Sequence, residues 1–275
     1  MIIVNPISPI AFEIFGLAIR WYALSYIVSF LIGYWVMGKI SRGLLDKKSL
    51  DDLLSYVVIG VIAGGRLGYV LFYNLSYYMS HPLEIFAIWH GGMSFHGGLL
   101  GVMAAIFLFA NRMDAWKRVQ QTLWARFHAP LQILDMLAVV FPIGIFFGRI
   151  ANFINMEIMG RATEQPWGVV FAGAADQTPR HASPLYAAAL EGLLLFIIMF
   201  SLWRWTKLRE HTGALSGVFA IGYGTVRIFG EMFRQPDEHI GFLTGWGLTM
   251  GMLLSALMLA AGAIIFITAI TKEKK

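Results

Sequence analysis

Residues 248–267 read LTMGMLLSALMLAAGAIIFI, twenty consecutive positions without a charged side chain. As a helix such a run spans about 30 Å, the thickness of the hydrocarbon core of a bilayer. Working back along the chain, six more apolar windows lie at Trp21–Gly38, Leu53–Tyr73, Gly92–Ala110, Leu131–Gly148, Pro184–Leu202 and Leu215–Phe229. The third is the shortest, because counting from Gly97 leaves little before Asn111. The first has room to begin earlier, with Arg20 snorkelling near its end. Of 275 residues, 58% are hydrophobic and only 13% charged, with mean hydropathy +0.67. A soluble domain carries about 25% charged residues, so a disordered chain and a soluble enzyme with a polar shell are excluded. The windows predict an all-α integral membrane protein with seven transmembrane helices, in one membrane domain over residues 1–275.

The connections alternate in charge. Lys39, Arg42, Lys47 and Lys48; Arg112, Lys117, Arg118 and Arg126; Arg204, Lys207 and Arg209; and Lys272, Lys274 and Lys275 hold fourteen of the 21 basic residues. The alternate connections hold far fewer. By the positive-inside rule the first set is cytoplasmic, with the N-terminus outside and the C-terminus inside, in keeping with an odd number of spans. The net charge of +5 is thus a topology signal and gives no sign of nucleic acid as a partner. Residues 152–183 form the longest outer connection and predict a small exposed cap. Met1–Ile19 lacks a positive n-region, which argues against a cleaved signal peptide. No cysteine is present, which removes disulfides, thiolate metal sites and a cysteine nucleophile of the chain's own.

Ionisable groups within apolar spans cost about 2.5–3.5 kcal/mol each on insertion scales, so each needs a partner or a purpose. Arg66, His96, Arg149, Glu191, Arg227 and Glu231 fall in or beside the outer halves of the windows, while Asp135 reads as interfacial. Tyr223, Arg227 and Glu231 are spaced i, i+4, i+8 and share a helix face. The Arg–Glu pair serves either to neutralise charge in the bilayer or to present a planar guanidinium fork to phosphate. Arg234 adds a positive group one turn on. The stretch GRIANFINMEIMGR at 148–161 puts Arg149 and Asn152 on one face if helical at its start. In HGGMSFHGG at 90–98, His96 lies between two glycine pairs. A lone histidine is more often structural, but its ordinary pKa of about 6.5 suits a base near neutrality. Gly97 and Gly101 fit small-xxx-small helix packing as well as close approach to a ligand. Ser94 lacks a G-x-S-x-G elbow. Arg66, in AGGRLGY at 63–69, reads as structural, with Glu191 one plausible partner and the pairing left open. Neither HExxH spacing nor an Asp-rich loop points to a metal. Arginines at the lipid–water boundary with a nearby histidine and tyrosines point to an enzyme handling a phospholipid.

These motifs, with Trp21–Tyr22, GGRLGYVLFYN at 64–74 and YGTVRIFGEMFRQPD at 223–237, resemble the prolipoprotein diacylglyceryl transferase family across essentially the whole chain. The resemblance implies a transferase of the bacterial inner (plasma) membrane, multi-pass and with a periplasmic N-terminus. It would move the diacylglyceryl group of phosphatidylglycerol to the lipobox cysteine of prolipoprotein signal peptides, forming a thioether and releasing glycerol phosphate. It implies no cofactor and no metal. Carried over by position, His96, Tyr22, Tyr223, Arg227 and Glu231 are the expected catalytic group, and Arg149, Asn152, Glu157, Gly160 and Arg227 the expected phosphatidylglycerol-binding group. Departures stand at 181–187, where the family usually reads HPSQLYE and this chain has HASPLYA, and at Met156, where glycine is common. The connection 111–130 is also long. The alternative from another class is a transporter or flippase of an anionic phospholipid, although its site should lie at the midplane, often between inverted repeats that this sequence lacks.

Overall fold

The computed structural model describes residues 2–4, 7–41, 44–88, 91–112, 123–172, 176–236, 241–245 and 247–272. All seven apolar windows fall on helices. Five of these are long and apolar enough to cross a membrane: Trp21–Ile40, Lys47–Leu71, Phe127–Ile154, Ser183–Trp205 and Met250–Thr271. The third window lies on a helix whose apolar part, Gly97–Arg112, is shorter, and the sixth on the 18-residue helix Ala214–Glu231. Along the first helix Ile27, Leu31 and Trp35 recur at i, i+4, i+8 and stay exposed, an apolar stripe suited to lipid. The chain divides into two compact units, Gly38–Leu134 and Met1–Met37 with Asp135–Lys275.

In the unit Gly38–Leu134, helix α1 (Lys47–Tyr73) starts at Asp46, whose carboxylate accepts from the Ser49 N–H at 2.8 Å. That bond, with one from the Ser49 hydroxyl, holds the Asp46 carboxyl below the usual carboxylate range. Its glycines pack on those of helix α2 (Phe95–Arg112). A Cβ on Gly101 would stand 2.0 Å from the Gly60 carbonyl oxygen, and one on Gly64 would stand 2.4 Å from that of Gly97. Packing is therefore the structural use of Gly97 and Gly101, with backbone against backbone. Helix α2 begins at Phe95, three residues later than its window, because Ser94 stops the preceding turn. The Ser94 hydroxyl accepts from the Gly97 N–H at 3.2 Å and its own N–H donates to the Gly65 carbonyl at 2.8 Å. Ser94 is thus a helix-capping residue.

Arg66 is held by backbone carbonyls of its own unit. Its Nε donates to the Ile85 carbonyl at 2.8 Å, Nη2 to Glu84 and Ala87 at 2.6 and 3.2 Å, and Nη1 to the carbonyls of Gly91 and Gly92. Tyr78 covers the guanidinium 5.1 Å away. A five-donor fork can fasten a whole segment of irregular backbone, satisfying carbonyls that burial would otherwise leave orphaned.

In the other unit residues 10–20 are not an extension of the first apolar helix. Ile10–Ile14 and Leu17–Arg20 form an antiparallel hairpin, which leads straight into helix α3, Trp21–Ile40. Helix α4 runs over Leu123–Ile154, well past its window at both ends. Helix α5, Ser183–Trp205, contains a π-helical segment at Ala188–Leu194. Helix α6, Ala214–Glu231, packs on α7, Met250–Lys272, through Gly217, Gly224 and Gly262. Asp135 is buried within the protein. Its carboxylate accepts from the N–H of Gly213 at 2.6 Å and from the N–H and hydroxyl of Ser216 at 2.7 Å each, and so secures the first turn of α6. The described residues between 155 and 182 are non-helical. Within them Val169–Phe171 pairs in parallel with Ile2–Val4, over a small apolar cluster of Val169, Phe171 and Ala182 with Phe153 and Met159. These short strands and the hairpin depart from an all-helical chain among the described residues.

Gly101→Ala is expected to lower the thermal midpoint in detergent by the equivalent of about 1–3 kcal/mol, the cost of overpacking. Gly98→Ala, whose added methyl would meet the Val61 carbonyl oxygen at an ordinary 3.7 Å, should leave the midpoint unchanged or raised. Equal effects would remove the glycine seam as a packing determinant.

Candidate active site

Three helices bring charge together. Helix α4 stays helical to Ile154, so Arg149 and Asn152 share a face of its last turns. Gly192 lets α5 approach α4 closely, since a Cβ there would stand 2.7 Å from the Phe146 Cα. Its neighbour Glu191, 1% exposed, is thereby carried to Arg149 one turn further along α4. Arg149 donates from Nε and Nη2 to Glu191 Oε2 at 3.2 and 2.9 Å. Arg227 on α6 donates from Nη1 to Glu191 Oε1 at 3.3 Å and forms an ion pair through Nη2 with Glu231 Oε1. Arg234 Nη1 lies 3.6 Å from the same Glu231 oxygen. The Tyr223 hydroxyl lies within electrostatic reach of Arg149. The expected face of Tyr223, Arg227 and Glu231 is therefore present, and Arg149 joins it through Glu191.

The remaining partners of Glu231 come from α7 and from the non-helical segment. The Thr249 hydroxyl donates to Glu231 Oε2 at 2.8 Å, and Gly251 leaves room for the carboxylate, which a Cβ would meet at 2.8 Å. Arg161 donates to the carbonyls of Glu231 and Arg234 at 3.1 and 2.9 Å, closing the end of α6.

The stretch after α4 is braced internally. Glu157 accepts from the Asn152 and Asn155 amides at 2.8 and 3.2 Å, and its N–H donates to the Asn152 carbonyl at 2.9 Å. Met156, where the family often has glycine, takes φ +56°, the left-handed conformation that glycine adopts without cost. Gly160 bridges to Arg234 and donates to the His181 carbonyl. A side chain there would stand 2.2 Å from that oxygen. Asn152, Glu157 and Gly160 thus shape the chain that passes beside the arginines.

Two small cavities adjoin the cluster. One is lined by Arg149, Ser183, Ala187, Glu191, Arg227 and Arg234. The other is lined by Arg227, Glu231, Arg234 and Thr249 among others. Arginine forks facing small cavities with their counter-charges fixed are suited to an anionic phosphate. Among the described residues no group of three His, Cys, Asp or Glu residues has the arrangement of a metal site.

A model of the prolipoprotein diacylglyceryl transferase family matches residues 9–268. The chain belongs to that family. Three relatives carry the name phosphatidylglycerol–prolipoprotein diacylglyceryl transferase. The protein of Rhodospirillum centenum is 47% identical over 268 residues, 96% of this chain and 92% of its own. That of Azospirillum brasilense is 46% identical over 260 residues, covering 93% and 92%. That of Pseudoalteromonas atlantica is 45% identical over 272 residues, covering 98% and 91%. The transport reading gains nothing from them.

Within this diacylglyceryl transferase chain the other expected residues stand as follows. Tyr22 lies in the first turn of α3, its ring edge-on to Tyr26 at 5.2 Å. His96 occupies the first turn of α2 in the unit Gly38–Leu134, and its side chain lies outside the described residues. Glu191, Thr249 and Arg161 are participants that the motif reading did not assign to the site. The signal for Glu191 was present, as the only acid within its apolar window.

Thr249→Val removes one donor and leaves a buried carboxylate oxygen short of a partner. It is expected to destabilise the protein by about 1–3 kcal/mol, read as a lowered thermal midpoint in detergent. A midpoint equal to wild type would show that Thr249 does not support Glu231.

Proposed function

We propose that this chain transfers the diacylglyceryl group of phosphatidylglycerol to the lipobox cysteine thiol of prolipoproteins, the first step of bacterial lipoprotein maturation. The observation that carries this reading, in a chain of this family, is the cluster of Arg149, Arg227 and Arg234 on two buried carboxylates beside two small cavities.

The nucleophile is the acceptor's own thiol, with a free pKa of about 8.5, so its proton must be removed near neutral pH. In this proposal His96 takes that proton. The thiolate attacks the glyceryl C3 carbon, a C–S bond forms, the C3–O bond breaks, and glycerol phosphate leaves with the bonding electron pair. Arg149 and Arg227 hold the phosphate as that charge develops, in a setting where fixed donors outperform water. Glu231 orients Arg227, while Asn152, Glu157 and Gly160 order the chain beside it. Tyr22 and Tyr223 hydrogen-bond the headgroup. No cofactor takes part.

The same proposal places the chain in the bacterial inner membrane, with seven crossings, a periplasmic N-terminus and a cytoplasmic C-terminus. It puts residues 152–183 at the outer face and has residues 1–275 work as one membrane domain. The alternation of basic connections supports it.

The purified protein with phosphatidylglycerol should add one diacylglyceryl mass to a peptide containing a lipobox cysteine, and none to the Cys→Ser peptide. His96→Ala should give no product. Arg227→Ala should lose about 10²-fold or more of the rate while still inserting in the membrane, and Arg227→Lys should recover little, because a point charge does not replace the fork. Wild-type rates from Arg227→Ala would remove the phosphate clamp.

A further inference from the structure

The least exposed member of the cluster is a carboxylate, and an anion beside a phosphate site needs a reason. Glu191 divides its two oxygens between two helices, Oε2 to Arg149 and Oε1 to Arg227. Arg149, Arg227 and Arg234 face Glu191 and Glu231, which leaves one net positive charge among these five. Arg161 lies nearby but donates to carbonyls at the C-terminal end of α6, where its charge offsets the helix dipole.

A lipid phosphodiester carries one negative charge and brings such a cluster to neutrality. A phosphomonoester carries about 1.5 to 2 negative charges at neutral pH and would leave excess negative charge beside a buried carboxylate. We propose that Glu191 is a specificity-determining positioning residue, which presets Arg149 and Arg227 and limits the cluster to one net positive charge, favouring the phosphodiester over the phosphomonoester product. This rests on the reading that the cluster takes the lipid phosphate. Without Glu191 the arginines would hold the departing glycerol phosphate more firmly than the incoming lipid, and release of product would slow. Its place on the π turn, next to the glycine that packs on α4, fixes the carboxylate where both guanidiniums reach it.

Calorimetry on the purified full chain in detergent, titrated with glycerol phosphate and with its methyl diester, measures this preference independently of transfer. Wild-type protein is expected to bind the diester at least as tightly as the monoester. Glu191→Gln keeps the shape and removes the charge. It should bind glycerol phosphate on the order of tenfold tighter, with transfer inhibited at correspondingly lower product concentration. Glu191→Asp, which retains the charge, should keep the wild-type order of preference. A merely structural role would weaken both ligands together. Unchanged or weaker monoester binding in Glu191→Gln overturns the inference, as does a wild-type protein that prefers the monoester or binds neither ligand. The wild-type comparison needs no variant and decides the matter if Glu191→Gln fails to fold. A wild-type protein that transfers diacylglyceryl but fails these tests loses only this inference. One that shows the expected preference but never modifies the peptide loses the proposed reaction.

Discussion

A carboxylate that is almost wholly buried in an apolar bundle is tolerated only when its charge is matched at close range, and Glu191 is matched twice, by Arg149 and by Arg227. Removing one partner from a buried pair of this kind costs about 3–5 kcal/mol, because the other charge is left uncompensated. Here each guanidinium depends on that carboxylate, and Glu231 depends in turn on Arg227, Arg234 and Thr249. The result is a chain of mutual dependence across α4, α5, α6 and α7. The site's charges act as structural ties between helices whose remaining surfaces offer lipid-like contacts with little preference for one register.

Much of the surrounding architecture exists to let those ties form. Gly192 brings α5 against Phe146, Gly251 makes room for the Glu231 carboxylate, and Asp135 anchors the opposite end of α6 through Gly213 and Ser216. Apolar helices lack a strong drive to associate inside a bilayer, so contacts of small residues and polar hydrogen bonds determine how they meet. The same logic governs the unit Gly38–Leu134, where glycines place α1 on α2 and Arg66 collects five carbonyls from the segment between them.

What the sequence made legible follows periodicity and charge. Each of the seven apolar windows falls on a helix, and the 223–227–231 spacing marks a real face, because both depend on local helical geometry alone. The small-xxx-small pattern of Gly97 and Gly101 anticipated the observed packing. Pairings between distant segments were not legible. Arg66 looked like a residue in need of an acid, yet backbone carbonyls satisfy it, and no side-chain pattern records where carbonyls will converge. The role of Asp135 was not legible because the groups that donate to its carboxylate, on Gly213 and Ser216, lie 78 and 81 residues away. The hairpin at Ile10–Arg20 was hidden because its apolar residues run on into the first helix. Glu191 was visible as an anomaly, but its two partners follow from tertiary approach.

The π-helical segment Ala188–Leu194 adds a constraint of a different kind. Relative to a regular α-helix, a π turn accommodates an extra residue, and each residue advances an α-helix by about 100°. Loss of a single residue within this segment would let the run Ser183–Trp205 relax to ordinary α-helix, swinging its two ends about 100° out of phase. Ser183, Pro184 and Ala187 line the cavity from before or at the edge of this turn, and Glu191 from within it. The length of this helix is therefore as much a determinant of the charge cluster as the identity of its residues. Drift among homologous chains should accept substitutions here far more readily than insertions or deletions.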